Sequence, residues 1–165
     1  MPESRSDLIR NIEIRQAVLK DKPGIVDLIH HTVKTDYPGF YPQGVVDFFL
    51  EYHNPESISG NIIHGYFLVA EDENRLTATG CLKNNEIGSV YIHPDHRRKG
   101  IGSKIVNELL REAKRKELNK IFLDSTINAR LFYEKLGFGI VSTECQILEN
   151  NVPLDYYRMV YEMKD

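Results

Sequence analysis

Val90-Tyr91-Ile92-His93-Pro94-Asp95-His96-Arg97-Arg98-Lys99-Gly100-Ile101-Gly102-Ser103 runs from an apolar stretch into a basic, glycine-containing loop. Beyond it, Ile101, Ile105, Val106, Leu109, Leu110 and Ala113 recur at helical spacing, and Lys104, Glu108, Arg111, Lys114 and Lys116 take the opposite side. The stretch thus predicts a strand, a short loop and the start of a long amphipathic helix. A helix begins with four N–H groups that lack partners within it and point in one direction. Gly100 and Gly102 carry no Cβ to hold a ligand away from those amides. Arg97, Arg98 and Lys99 add positive charge, and the Ser103 hydroxyl is a further donor. Such a loop suits a phosphate group. The helix dipole contributes about 0.3–1 kcal/mol, whereas each hydrogen bond to a charged group is worth about 1.5–3 kcal/mol. Loop geometry therefore dominates over helix polarity.

Two familiar phosphate loops are excluded by spacing. No GxxxxGK followed by Ser or Thr occurs, and in a GxGxxG reading Ile105 stands in the third glycine place. On either side of the decisive stretch, the chain reads as alternating strands and helices. Residues 12–17 alternate as a half-buried strand. Helices are expected over about 21–33, where Ile25, Val26, Leu28, Ile29 and Val33 form a stripe, and over 45–52. Strands follow at 66–70, 76–82 and 87–92, then the long helix, a buried strand at 121–123, a helix at 128–136, and strands at 138–148 and 153–163. The order βααβββαβαββ indicates a mixed α+β sheet with helices packed over it.

The 165 residues leave room for one domain, read as residues 11–165 behind a loose polar tail at 1–10. A composition of 41% hydrophobic and 27% charged residues fits a globular chain. The net charge of −3 argues against general nucleic-acid binding, which depends on phosphate neutralisation. No apolar run approaches a membrane span, and the start has no apolar leader, so no membrane partner and a cytoplasmic location are expected. Cys81 and Cys145 form no CxxC and read as reduced, buried thiols. His30-His31 and the pair His93 and His96 lack metal-ligand spacing, and Pro94 opposes a helix carrying the second pair, so no metal is expected.

A second motif extends the reading. Arg97-Arg98-Lys99-Gly100-Ile101-Gly102 resembles the cofactor motif of the GCN5-related N-acetyltransferase (GNAT) superfamily: Arg or Gln, two residues, Gly, any residue, then Gly or Ala. Asn128-Ala129-Arg130-Leu131-Phe132-Tyr133-Glu134-Lys135-Leu136-Gly137-Phe138 resembles the later motif of the same superfamily, one helix and one strand downstream. One departure stands out: Thr126 occupies a place where members often carry Asn, and Asn128 follows two residues later, so either is a candidate cofactor contact. The resemblance covers about residues 11–163. It implies an α+β fold with a mixed, mostly antiparallel sheet of six to seven strands and about four flanking helices. It also implies an acetyl-CoA co-substrate, with Val90, Tyr91 and Ile92 offering backbone groups to the pantetheine arm and Arg97, Arg98, Lys99, Gly100, Ile101, Gly102 and Ser103 holding the diphosphate. The other substrate would be an amine, either a small molecule or a peptide N-terminus.

The chemistry sets its own demands. An alkylammonium of pKa about 10.4 is neutral in about one molecule in 2,500 at pH 7, a cost of about 4.6 kcal/mol. The site must desolvate the amine or supply a base. The departing CoA thiolate, titrating near about 8.5, needs a proton. A tyrosine can donate it, and Tyr133 matches the superfamily's general-acid position. Glu86, at the start of the strand leading to Ile92, is the expected base, directly or through water. Each assignment has a plainer reading. Tyr133 could be a core aromatic beside Phe132, Glu86 a solvated strand-start carboxylate, and Arg98 and Lys99 a wet basic face. The cluster Tyr37, Phe40, Tyr41, Phe48, Phe49 and Tyr52 serves either packing or the acceptor, and Asp36 and Asp47 either meet a cationic amine or are simply solvated. A non-catalytic acyl-CoA sensor of the same fold is the alternative function. The chain is expected as a monomer or homodimer, the latter pairing through exposed Tyr156, Tyr157 and Tyr161 at a sheet edge.

Overall fold

A computed structural model describes residues 11–165; the expected tail at 1–10 lies outside them. In chain order the elements are β1 (Ile12–Gln16), α1 (Lys22–Asp36), α2 (Gln43–Tyr52), α3 (Pro55–His64), β2 (Tyr66–Asp72), β3 (Arg75–Lys83) and β4 (Glu86–Ile92). Then come α4 (Ile101–Arg115), β5 (Lys120–Thr126), α5 (Arg130–Lys135), β6 (Gly139–Ile147) and β7 (Pro153–Glu162). The strands form one seven-stranded sheet in the order β1-β2-β3-β4-β5-β7-β6. Every pairing is antiparallel except β4 with β5.

The sheet divides two cores, and the strand period of two sends alternate residues to each. On β2, Leu68 and Ala70 join α4 in one cluster, while Phe67 and Val69 join α1, α2 and α3 in the other. Ile105, Val106 and Leu109 of α4 are wholly buried, worth about 1.5–3 kcal/mol each. That burial fixes the helix against β2, β3 and β4 and so sets where its N-terminus lies.

Among the described residues there are five α-helices, one more than the sequence pattern places. The additional one is α3, where Pro55 and Gly60 read as breaks. Pro55 stands at the helix start, where its missing N–H costs nothing, and the Asn54 side chain accepts from Ser57 N at 2.8 Å as the cap. Two other expectations change. Tyr156, Tyr157 and Tyr161 are half-buried against the chain's own cores, not exposed. Of the two thiols, Cys81 is buried and Cys145 exposed.

One irregularity makes room for a site. β4 meets β5 at the Glu86–Phe122 pair, with Phe122 N donating to Asn85 O at 2.9 Å, whereas β5 pairs with β7 from Lys120 to Thr126. Past Glu86 the two parallel strands part. A bulge between Gly88 and Tyr91, with Ser89 at φ 53°, bends β4 there, and Thr79 Oγ1 donates to Ser89 O at 2.7 Å to hold the bend.

Candidate active site

A cleft of about 1250 Å³ occupies the gap between β4 and β5. It extends to the loop before α4 on one side and to α1 and α2 on the other. The sequence-named residues converge on it. From β4 come Glu86, Val90, Tyr91 and Ile92; from the loop and helix start, Arg97, Arg98, Gly100, Ile101, Gly102 and Ser103. Thr126, Asn128 and Tyr133 close the far wall, so both candidates around the departed Asn position reach the cleft. Lys99 is the one loop residue among those named that does not line it.

The two loop glycines serve different ends. Gly100 is the N-cap of α4 at φ 80°, with Arg98 at φ 61° two residues before it. This left-handed turn, natural for glycine, leads into an α4 start that lines the cleft and that no side chain caps. Gly102 also lines the cleft, and a Cβ there would lie 2.9 Å from Ile92 Cδ1 and 3.1 Å from Phe132 Cζ. Its missing side chain lets α4 pack close to β4 and α5.

Tyr133 is 7% exposed, between Phe132 and Phe138. Burial, reinforced by the nearby Tyr37 hydroxyl, raises its pKa well above the ordinary phenol value. It keeps its proton at every physiological pH. The cleft carboxylates are committed to arginines. Asp36 pairs with Arg97 across the cleft. Glu86 accepts two hydrogen bonds from Arg158, Oε2 at 2.8 Å from Nη1 and Oε1 from Nη2. Asp124 Oδ1 lies 3.1 Å from the same Nη1. Asp47 instead accepts from Gln43 Nε2 at 2.9 Å on the exposed side of α2.

The aromatic cluster divides. Tyr37 and Tyr41 are buried, whereas Phe40 and Tyr52 are more than half exposed at the cleft. Tyr41 acts as a tie within the fold, since its hydroxyl donates to Asp155 O at 2.7 Å and accepts from Ile127 N at 2.9 Å. It thereby pins the exit from β5, between Thr126 and Asn128. Two participants went unnoticed in the sequence. Arg158 is one, and His53 is the other: it is 3% exposed, lines the cleft, and has Nε2 at 2.9 Å from Tyr91 Oη. Among the described residues no group of three or more His, Cys, Asp or Glu is arranged to hold a metal ion. No described helix is long and apolar enough to cross a membrane.

Comparison with known proteins bears on this geometry. Residues 37–160 match the family model of the acetyltransferase (GNAT) domain. The chain is 35% identical over 86 residues to Probable glucosamine 6-phosphate N-acetyltransferase 2 of Oryza sativa subsp. japonica; the match takes in 43% of this chain and spans about half, 52%, of that relative. Among solved structures, the GCN5-related N-acetyltransferase "Aminotransferase, Class-II" of Rhodopseudomonas palustris superposes with a TM-score of 0.85 at 16% identity, covering 92% of this chain and 95% of that one. The PaiA N-acetyltransferase of Thermoplasma acidophilum, solved in complex with coenzyme A, gives 0.75 at 20% identity, covering 92% and 99%. At such identities the likeness is one of fold.

Proposed function

The chain belongs to the acetyltransferase (GNAT) domain family, and from that premise we propose that it moves an acetyl group from acetyl-CoA to a primary amine by direct attack in a ternary complex. The observation that carries the proposal is the left-handed turn at Gly100, which opens the start of α4 onto a cleft continuous with the gap between β4 and β5. In this reading the amides of Ile101, Gly102 and Ser103 hold the diphosphate, with Arg97 and Arg98 adding charge and Lys99 contributing through its backbone. The pantetheine arm lies along Val90, Tyr91 and Ile92 as an added strand would, in the space that β5 vacates. Thr126 and Asn128 face it from the opposite side.

Tyr133 is the proposed general acid. A phenol in so dry a place is a weak acid, yet its partner sulfur is weak in the same sense. The buried Cys81 thiol beside the cleft is itself pushed up to about 11 by burial, and a CoA thiolate expelled into that surrounding has a similarly enhanced appetite for a proton.

Glu86 enters this proposal chiefly as the residue that closes the foot of the gap. Its carboxylate accepts two guanidinium N–H bonds from Arg158. The acceptor is proposed to be a small molecule or peptide N-terminus with an apolar flank, because Phe40, Phe48 and Tyr52 form an aromatic wall at the cleft. A peptide α-amino group, with pKa about 7.7–8.0, is also neutral far more often than an alkylamine. The amino-sugar phosphate in the rice relative's name is the comparison acceptor. The test is release of free CoA thiol from acetyl-CoA by the purified chain across a panel of amino-sugar phosphates, alkylamines and peptides. Amine-dependent release supports the proposal; tight CoA binding without release from any amine favours a sensor instead.

A further inference from the structure

The acetylated nitrogen must shed a proton, and the carboxylates lining the cleft, Asp36, Glu86 and Asp124, are each paired with an arginine. Another set of groups is placed to take it. Tyr37 Oη donates to Tyr91 Oη at 3.3 Å, and Tyr91 Oη lies 2.9 Å from His53 Nε2. The three side chains come from the turn after α1, from β4 and from the residue that ends α2, and all three line the cleft. They are 6%, 7% and 3% exposed respectively. Tyr37 shares the cleft lining with Thr126 and the proposed acid Tyr133, and its hydroxyl acts electrostatically on Tyr133.

We infer that Tyr37, Tyr91 and His53 form a proton relay that carries the amine's proton away from the reacting centre, with His53 Nε2 as its terminus. The inference rests on the acetyltransferase reading and gives it a base other than Glu86, whose carboxylate is tied to Arg158. With Tyr37 donating to Tyr91, the Tyr91 proton is directed at Nε2, which must then be the bare nitrogen, leaving the ring proton on Nδ1. Nδ1 is buried and has no hydrogen-bond partner. An unsatisfied buried nitrogen is a standing cost, so this imidazole keeps one nitrogen paired with Tyr91 at the expense of the other. His30 Nε2 donates to the His53 carbonyl at 2.9 Å and fixes the ring's place.

The step balances. The amine lone pair attacks the thioester carbon, forming C–N while the carbonyl π pair moves to oxygen. The nitrogen's proton passes to Tyr37 Oη, the Tyr37 proton to Tyr91 Oη, and the Tyr91 proton to His53 Nε2. The oxyanion pair then re-forms the carbonyl, C–S breaks, and sulfur takes the Tyr133 proton. His53 has gained one proton and Tyr133 has lost one; solvent restores both as products leave. Burial pushes the His53 pKa down to about 4, so the ring is neutral and ready at pH 7. The oxyanion forming in the same dry cleft raises its proton affinity when it is needed. The titratable groups in contact with His53 are His30 from α1, Tyr91 from β4 and Tyr52 from its own helix.

The relay is tested in two ways on the full chain. Long-range nitrogen NMR at pH 7 should find His53 neutral with its proton on Nδ1; a proton on Nε2, or an imidazolium, would overturn the relay whatever the activity. His53→Gln and Tyr91→Phe should each lower kcat about 100-fold with KM for acetyl-CoA within about twofold. Tyr91→Phe, lacking a single oxygen, stands in should His53→Gln fail to fold. Full turnover in a folded variant of either kind overturns the relay alone, since wild-type turnover would still support acetyl transfer. No thiol release by the wild-type chain with any amine would overturn the acetyltransferase reading and the relay together.

Discussion

Arg158 Nη1 donates to Glu86 Oε2 at 2.8 Å, joining β7 to β4 at the point where β4 and β5 begin to part. The same nitrogen reaches Asp124 on β5 at 3.1 Å, and the guanidinium stacks over Phe122 at 4.9 Å. One cation therefore ties three strands at the foot of the cleft. Glu86 and Asp124 raise the Arg158 pKa further above its ordinary value, so its charge is permanent.

Glu86→Gln should consequently lower kcat by less than about tenfold and leave the shape of the pH–rate profile unchanged. The side chains are partly exposed, so the stability loss should be about 1 kcal/mol or less. Stopped assays between pH 6 and 9 with a thermal melt measure both. Disappearance of the acidic limb would return the base to Glu86.

Tyr133→Phe removes a buried hydroxyl while keeping the ring that packs on Phe132 and Phe138. It should lower kcat by about 100-fold or more and leave acetyl-CoA affinity within about twofold. Steady-state kinetics with calorimetry separates the two effects.

The glycines at 100 and 102 should fail differently. Gly100→Val forces a β-branched residue to φ 80°, a strain of about 1–3 kcal/mol at the turn that leads into α4. Acetyl-CoA affinity should fall about 10- to 100-fold, with no change for Lys114→Ala on the exposed side of α4. Gly102→Ala should instead cost about 1–3 kcal/mol of stability through overpacking against Ile92 and Phe132, read as a lower Tm before any ligand is added.

His53 makes stability pH-dependent. Its folded pKa of about 4 lies below the ordinary value of 6.5, so the unfolded chain takes up this proton first as pH falls. Stability should decline from about pH 6.5 down to about pH 4, by up to about 3 kcal/mol at 1.36 kcal/mol per unit. Denaturant melts of His53→Gln should show a flatter profile over that window. Parallel profiles would mean the imidazole is not buried neutral.

Helix α4 and its loop were legible because an unbroken 3.6-residue period and a basic, glycine-bearing entry lie within one short stretch. The seven strands were legible from alternation and turns. Helix α3 was not, because Pro55 and Gly60 look like breaks until Asn54 is known to cap the helix. The carboxylate partners and the relay were beyond reach for another reason. Glu86 and Arg158 are 72 residues apart, Tyr37 and Tyr91 are 54 apart, and His53 and Tyr91 are 38 apart. Nothing local marks such pairs; only the sheet order and the helices over one face bring them together.

The amide grip on a diphosphate underlies the whole account, and calorimetry reaches it directly. Titration with acetyl-CoA and with S-acetylpantetheine, which has the same thioester and arm but no diphosphate, should give affinities differing by at least about 100-fold in favour of acetyl-CoA, as three or more hydrogen bonds to a charged group require. Equal affinities, or no heat from acetyl-CoA, would contradict it.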